Sequence, residues 1–229
     1  MRSPSSRRRR RTVTRLAVAA SLIAGGSAVV ALTAPVVSAA PAVSAACSDI
    51  EVVSARGTFE PGTLGAIVCD PVFAALKKRI SGKTLTGHRV DYPADLGLTS
   101  AAQGNAELVN RVRSQATFCP NQRFILVGYS QGANVVDNSI GISSDGAVVG
   151  SPIVATIPAS AEPKAAAVLL FGNPIRALGK SVTGTYASRA KDFCATGDPV
   201  CEKGGGDVLA HLGYGANADE AADFAAGKV

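Results

Sequence analysis

Arg123–Tyr129 (RFILVGY) is an apolar run that leads straight into Gly128-Tyr129-Ser130-Gln131-Gly132. A short run without a polar break predicts a strand buried on both faces. The two glycines around Ser130 predict a sharp turn into a helix over residues 131–136. Such a turn pushes the serine side chain outward and brings neighbouring backbones close, so a Cβ at Gly128 or Gly132 would clash. A strand buried on both faces needs helices on both faces, and this commits the chain to a layered α/β fold. The rest of the sequence agrees. Ile50–Ala55 (IEVVSA) and Ala165–Phe171 (AAAVLLF) read as further buried strands, with one more over residues 190–194. Residues 89–92 read as the end of another, stopped by Pro93. Helices are expected over residues 71–80, where Lys77, Lys78 and Arg79 suit a C-terminus, over 101–116, and over 219–226, unless that Ala-rich end is a frayed tail. Residues 141–164, rich in Gly, Ser and Pro, read as one longer loop. The expected architecture is a three-layer α/β/α sandwich around a mostly parallel sheet.

The chain has 229 residues and a formal net charge of +6. That charge is unevenly placed. Arg2, Arg7, Arg8, Arg9, Arg10, Arg11 and Arg15 open the chain, and no acid precedes Asp49. Residues 47–229 hold 16 basic against 17 acidic side chains, a net charge of −1. That balance argues against a nucleic-acid partner for the folded part. Residues 1–46 read as a secretory signal peptide with a short pro-stretch. They show an Arg-rich start, an apolar run over 16–37, and small residues at Val37-Ser38-Ala39 and Val43-Ser44-Ala45 that suit signal peptidase. The apolar run is long enough to span a bilayer, but Gly25, Gly26 and Pro35 interrupt it. Cleavage is therefore expected, leaving no stable membrane span. Arg10-Arg11 lies within a longer arginine run and is no specific twin-arginine signal. Ser44 stands where a lipoprotein leader ahead of Cys47 would carry a bulky aliphatic residue. Residues 47–229 have the size of one domain.

Cys47, Cys69, Cys119, Cys194 and Cys201 all lie after the leader. In an exported protein they read as disulfides, with one left over. Their count does not choose the pairing. Neither CxxC nor a His-rich spacing is present, so no metal site is expected.

A serine becomes a nucleophile when a base takes its proton. Only two histidines exist, His88 and His211. On a strand–turn–helix serine the chain order is Ser, then Asp or Glu, then His. His211 fits that order. His88 precedes Ser130 and reads as a surface or strand-end residue. The acid that orients the base must then come from Asp137, Asp145, Glu162, Asp192, Asp198, Glu202 or Asp207. Asp198 stands out, because Cys194 and Cys201 bracket it. A bridge between them would close a tight loop and hold the carboxylate rigid.

Cys47 with Ala55-Arg56-Gly57-Thr58, Gly128-Tyr129-Ser130-Gln131-Gly132-Ala133, and Cys194-x-x-Gly197-Asp198-x-x-Cys201 followed by His211 together resemble the cutinase family. The likeness runs from about Cys47 to the C-terminus. It implies a small α/β-hydrolase without a large lid, and a triad of Ser130 (nucleophile), His211 (general base and acid) and Asp198 (orienting acid). It implies an oxyanion hole from the backbone N–H of Gln131 and from Thr58, whose hydroxyl stands where many relatives carry Ser. It also implies bridges Cys47–Cys119 and Cys194–Cys201, leaving Cys69 as a buried thiol. The implied activity is that of a secreted, monomeric serine esterase acting on cutin-like polyesters or on lipid and short-to-medium acyl esters, without cofactor. Acetylxylan esterases and phospholipases share the scaffold, and Val208 and Leu209 near His211 favour an acyl chain over a sugar. A catalytically silent secreted binding or antigenic protein is the alternative from another class.

Overall fold

The structure is a computed structural model that describes residues 47–229. The leader expected over residues 1–46 lies outside the described residues. Five strands form one sheet: β1 (Ile50–Ala55), β2 (Leu85–Arg89), β3 (Arg123–Tyr129), β4 (Ala165–Phe171) and β5 (Ala190–Phe193). Their order is β2-β1-β3-β4-β5 and every pairing is parallel. The helices are α1 (Cys69–Arg79), α2 (Ser100–Phe118), α3 (Gln131–Ser139), α4 (Val208–Leu212) and α5 (Ala218–Ala226).

Alternation along the central strands sorts side chains to two faces. Val53, Leu126, Val168 and Leu170 meet Leu108, Val109 and Val112 of α2 and Val135 and Val136 of α3. Val52, Ile125, Val127, Leu169 and Phe171 meet Val72 and Leu76 of α1 and Ala221, Ala222 and Ala225 of α5. The middle strands are thus buried on both sides, as their largely apolar sequences imply. Truncating one of these leucines to alanine would cost on the order of 2–5 kcal/mol.

One expectation needs correcting. The strand expected to end over residues 89–92 lies earlier, at Leu85–Arg89. It is an edge strand with a single partner, and its residues LTGHR are half-buried or exposed. It therefore carries no apolar signature. Val90 and Tyr92, which do, are buried just beyond its end. The helix expected over 219–226 is present as α5, Ala218–Ala226, and it is packed, not frayed. Arg79 of α1 donates to Asp219 (2.9 Å) and Asp223 of α5.

The chain leaves β1 for β2 on one side and later builds β3, β4 and β5 on the other. Strand order therefore reverses between β1 and β3. In parallel sheets a crevice opens there, beyond the C-terminal ends of the strands. Ser130 follows β3 and Thr58 follows β1, so both lie at that reversal.

Candidate active site

Ser130 sits at φ 53° and ψ −118°, a backbone region that side-chain-bearing residues rarely adopt. Such a residue costs on the order of 1–3 kcal/mol and persists only when its surroundings enforce it. Two contacts do so here. The Ser130 N–H donates to the Phe171 carbonyl on β4 at 2.9 Å. The turn also presses against the end of β1: a Cβ on Gly132 would lie 1.9 Å from the Ala55 carbonyl oxygen. The turn opens α3, whose first N–H, that of Gln131, has no acceptor within the helix. It points out of the positive end of the helix dipole. The Gln131 side chain is occupied elsewhere, donating to the Asp95 carbonyl (2.8 Å) and accepting from Ser100 Oγ (3.2 Å).

His211 is carried by α4, a helix that sequence periodicity did not indicate because it is so short. Asp207 caps it, accepting from the Leu209 N–H at 2.9 Å. His211 Nε2 lies 3.0 Å from Ser130 Oγ, and Nδ1 lies 2.8 Å from Asp198 Oδ2. A carboxylate only accepts, so Nδ1 carries the proton and Nε2 is free to accept from the serine hydroxyl. Gly172, just past β4, makes room for the ring. A Cβ there would stand 2.7 Å from His211 Cε1. Tyr129 stacks on the imidazole with centroids 5.1 Å apart, and its hydroxyl donates to the His211 carbonyl at 2.9 Å.

Asp198 is fully buried. Its loop is closed by the Cys194–Cys201 bridge. Oδ1 accepts from the Val200 N–H at 2.7 Å, and Oδ2 accepts from both His211 and Tyr214. Burial alone would raise the carboxyl pKa. The hydrogen bonds from Tyr214, His211 and Val200 outweigh it and hold Asp198 below the usual carboxylate range, hence ionised.

The other acids between Ser130 and His211 have different partners. Glu162 bonds Arg189 at 2.6 Å, Glu202 accepts from the Gly197 N–H, and Asp207 caps α4. Asp192 accepts from Asn173 at 3.1 Å, and Asp137 is buried in α3. Asp145 is exposed. His88 lies on the edge strand β2, bonded to Glu107 at 2.9 Å. Cys47 pairs with Cys119, and Cys69 is a free, buried thiol.

Thr58 lies in the loop after β1. That loop is organised by Glu60, which sequence reasoning missed. Its buried carboxylate accepts from the N–H of Gly57 and of Ile67, each at 2.6 Å. Burial pushes this carboxyl up, against the lowering effect of the backbone N–H groups. The loop rests on the turn that carries Ser130. A Cβ on Gly57 would stand 2.7 Å from the Tyr129 ring. Among the described residues the Thr58 hydroxyl has no hydrogen-bond partner, so it is free for a ligand.

Exposed apolar side chains occupy the segments that carry these groups. Phe59 adjoins Thr58, while Leu96 and Leu98 flank the segment bonded to Gln131. Val208, Leu209 and Leu212 share α4 with His211. Leu98 and Leu209 are 95% and 77% exposed.

A strained serine, a base bonded to it and a buried carboxylate behind the base form the hydrogen-bonded series used for acyl transfer on several unrelated folds. The relatives are consistent with that chemistry. A cutinase of Kineococcus radiotolerans is 40% identical over 193 residues, 81% of this chain and 63% of that protein, so the chain spans less than two thirds of this relative. The Mycobacterium tuberculosis protein named phospholipase Culp4 is 34% identical over 194 residues, 83% of each. A solved acetyl xylan esterase shares the fold with a TM-score of 0.69 at 26% identity, covering 80% of this chain and 99% of that one. Residues 46–229 match the Cutinase family model, and the chain belongs to the cutinase family.

Proposed function

We propose that this protein is an exported serine esterase that hydrolyses apolar carboxylic esters, polyester or lipid, through Ser130, His211 and Asp198. His211 Nε2 takes the Ser130 proton as Oγ attacks the ester carbonyl carbon. The tetrahedral oxyanion accepts from the Gln131 N–H and from Thr58. His211 then gives the proton to the leaving alcohol, and an acyl-enzyme remains. Water, deprotonated by His211, attacks the acyl carbon, and Ser130 leaves with the proton. Asp198 keeps the proton of the resting imidazole on Nδ1 and stabilises the imidazolium.

The observation that carries this reading is the continuous Ser130–His211–Asp198 hydrogen-bond series, with distances of 3.0 and 2.8 Å. The apolar groups on the segments that carry these residues, Phe59, Leu96, Leu98, Val208, Leu209 and Leu212, favour an acyl chain over a polar sugar ester. Two disulfides and the leader-like residues 1–46 support export. The near-neutral charge of residues 47–229 fits a substrate met through apolar contact. The likeness to an acetyl xylan esterase supports a second reading, deacetylation of a polysaccharide. An acyl-chain series on p-nitrophenyl esters, with an insoluble polyester and acetylated xylan included, separates the two. The ester reading expects activity on butyryl and longer chains and on polyester. Strong acetate preference with deacetylation of xylan would replace it.

A further inference from the structure

We propose that Tyr214 is a positioning residue for the Ser130–His211–Asp198 series, its hydroxyl locking the Asp198 carboxylate and joining it to the disulfide loop. The inference rests on the esterase reading above. Tyr214 follows His211 by three residues and is almost wholly buried. Its ring lies edge-on against Tyr129, Phe171 and His211, with centroids 6.1–6.2 Å apart. The ring is therefore fixed, and so is the direction of its O–H.

That hydroxyl is a junction. It donates to Asp198 Oδ2 at 2.5 Å, the same oxygen that accepts from His211. It accepts from the Ala195 N–H at 2.9 Å and lies 3.3 Å from Cys201 Sγ. Both of those residues belong to the loop that presents Asp198. Burial and the Asp198 hydrogen bond push the Tyr214 pKa up, so it remains a donor. A single phenol thus ties the Asp198 carboxylate to the backbone of the covalently closed loop that carries it. Without it, Oδ2 would be bonded to His211 alone. The carboxylate would keep only the Val200 N–H as a second anchor. The donor also shares the negative charge of Oδ2 with the imidazole. Its loss should make Asp198 a stronger acceptor from His211 but a less fixed one.

Y214F removes the hydroxyl and keeps the ring. With purified protein and a p-nitrophenyl butyrate assay, kcat should fall about 10-fold, in the range seen when a group orienting a site residue is removed. KM should stay within about twofold, and the acid limb of the kcat pH profile should move to higher pH. The low-field proton signal of His211 Nδ1–H should shift in the variant, and with only two histidines in the chain it is assignable by comparison with H88Q. A folded Y214F with wild-type kcat, pH profile and His211 signal would overturn the proposal, even if its melting temperature fell. If the wild-type protein hydrolysed no ester, the esterase reading would fall, while the His211 signal would still decide whether Tyr214 positions Asp198.

Discussion

The two sides of Ser130 are held in place by different means. On the base side, Asp198 lies in a loop closed by a disulfide, three donors grip its carboxylate, and His211 is stacked, hydrogen-bonded and given room by Gly172. On the oxyanion side, no covalent link is present among the described residues. One buried carboxylate, Glu60, gathers the N–H groups of Gly57 and Ile67 and so shapes the loop that carries Thr58. The difference matches what each side must do. Under the proposed function the base must keep two hydrogen bonds while its charge changes, which fits its over-determined surroundings. The proposed oxyanion hole must keep donors unpaired until charge develops, and a loop organised from behind would leave them free.

Removing bridges tests this contrast most strongly. Cys194→Ser with Cys201→Ser should lower kcat about 100-fold, because a misplacement of about 1 Å costs that much. Its stability cost should be only about 2.5 kcal/mol for so short a loop. Cys47→Ser with Cys119→Ser opens a 72-residue separation at the other end of the sheet. It should cost more stability, about 4 kcal/mol, and leave kcat of the folded protein unchanged. Thermal unfolding together with ester kinetics reads both, and equal kcat losses in the two variants would break the comparison.

Glu60→Gln should have the next largest effect. The amide offers one acceptor where the carboxylate offers two, so either the Gly57 or the Ile67 N–H meets a donor. We expect kcat to fall about 10-fold with little change in KM, below the full 10²–10³ of losing an oxyanion donor outright. An unchanged kcat would mean that the loop holds Thr58 without its carboxylate.

The smallest effect on turnover should come from Asp192. Burial pushes the Asp192 carboxyl up to about 6, against the lowering influence of Arg176 and Asn173. The folded state therefore holds this proton more tightly than the unfolded chain does. Its contribution to stability, at most ~3 kcal/mol, is fully present below about pH 4 and is lost as pH rises from there through about 6. Asp192→Asn should flatten that slope in urea titrations at pH 4 and pH 7 while leaving kcat alone. An unaltered slope would remove Asp192 as its source.

Legibility followed the range of the interaction. β3 and β4 are written as near-continuous apolar runs and β1 as a short β-branched one, because both faces of the sheet are covered. Ser130 is marked by two glycines whose spacing is a local steric demand. Asp198 is marked by its bracketing cysteines, and His211 by the scarcity of histidine. Glu60, Gly172 and Tyr214 left no comparable local mark. Gly172 matters only because a residue 39 positions later places its ring there, and Tyr214 only because its hydroxyl reaches across to the Asp198 loop. β2 was misplaced for a related reason: an edge strand need not be apolar, and its neighbours Val90 and Tyr92 are.

The central claim is that Ser130 is the activated nucleophile. Incubation of the purified protein with a fluorophosphonate, followed by intact-mass and peptide mass spectrometry, tests it most directly. One adduct per chain is expected, on Ser130, absent in Ser130→Ala and strongly slowed in His211→Ala. A folded protein that takes no adduct, or takes it on another residue, would contradict it.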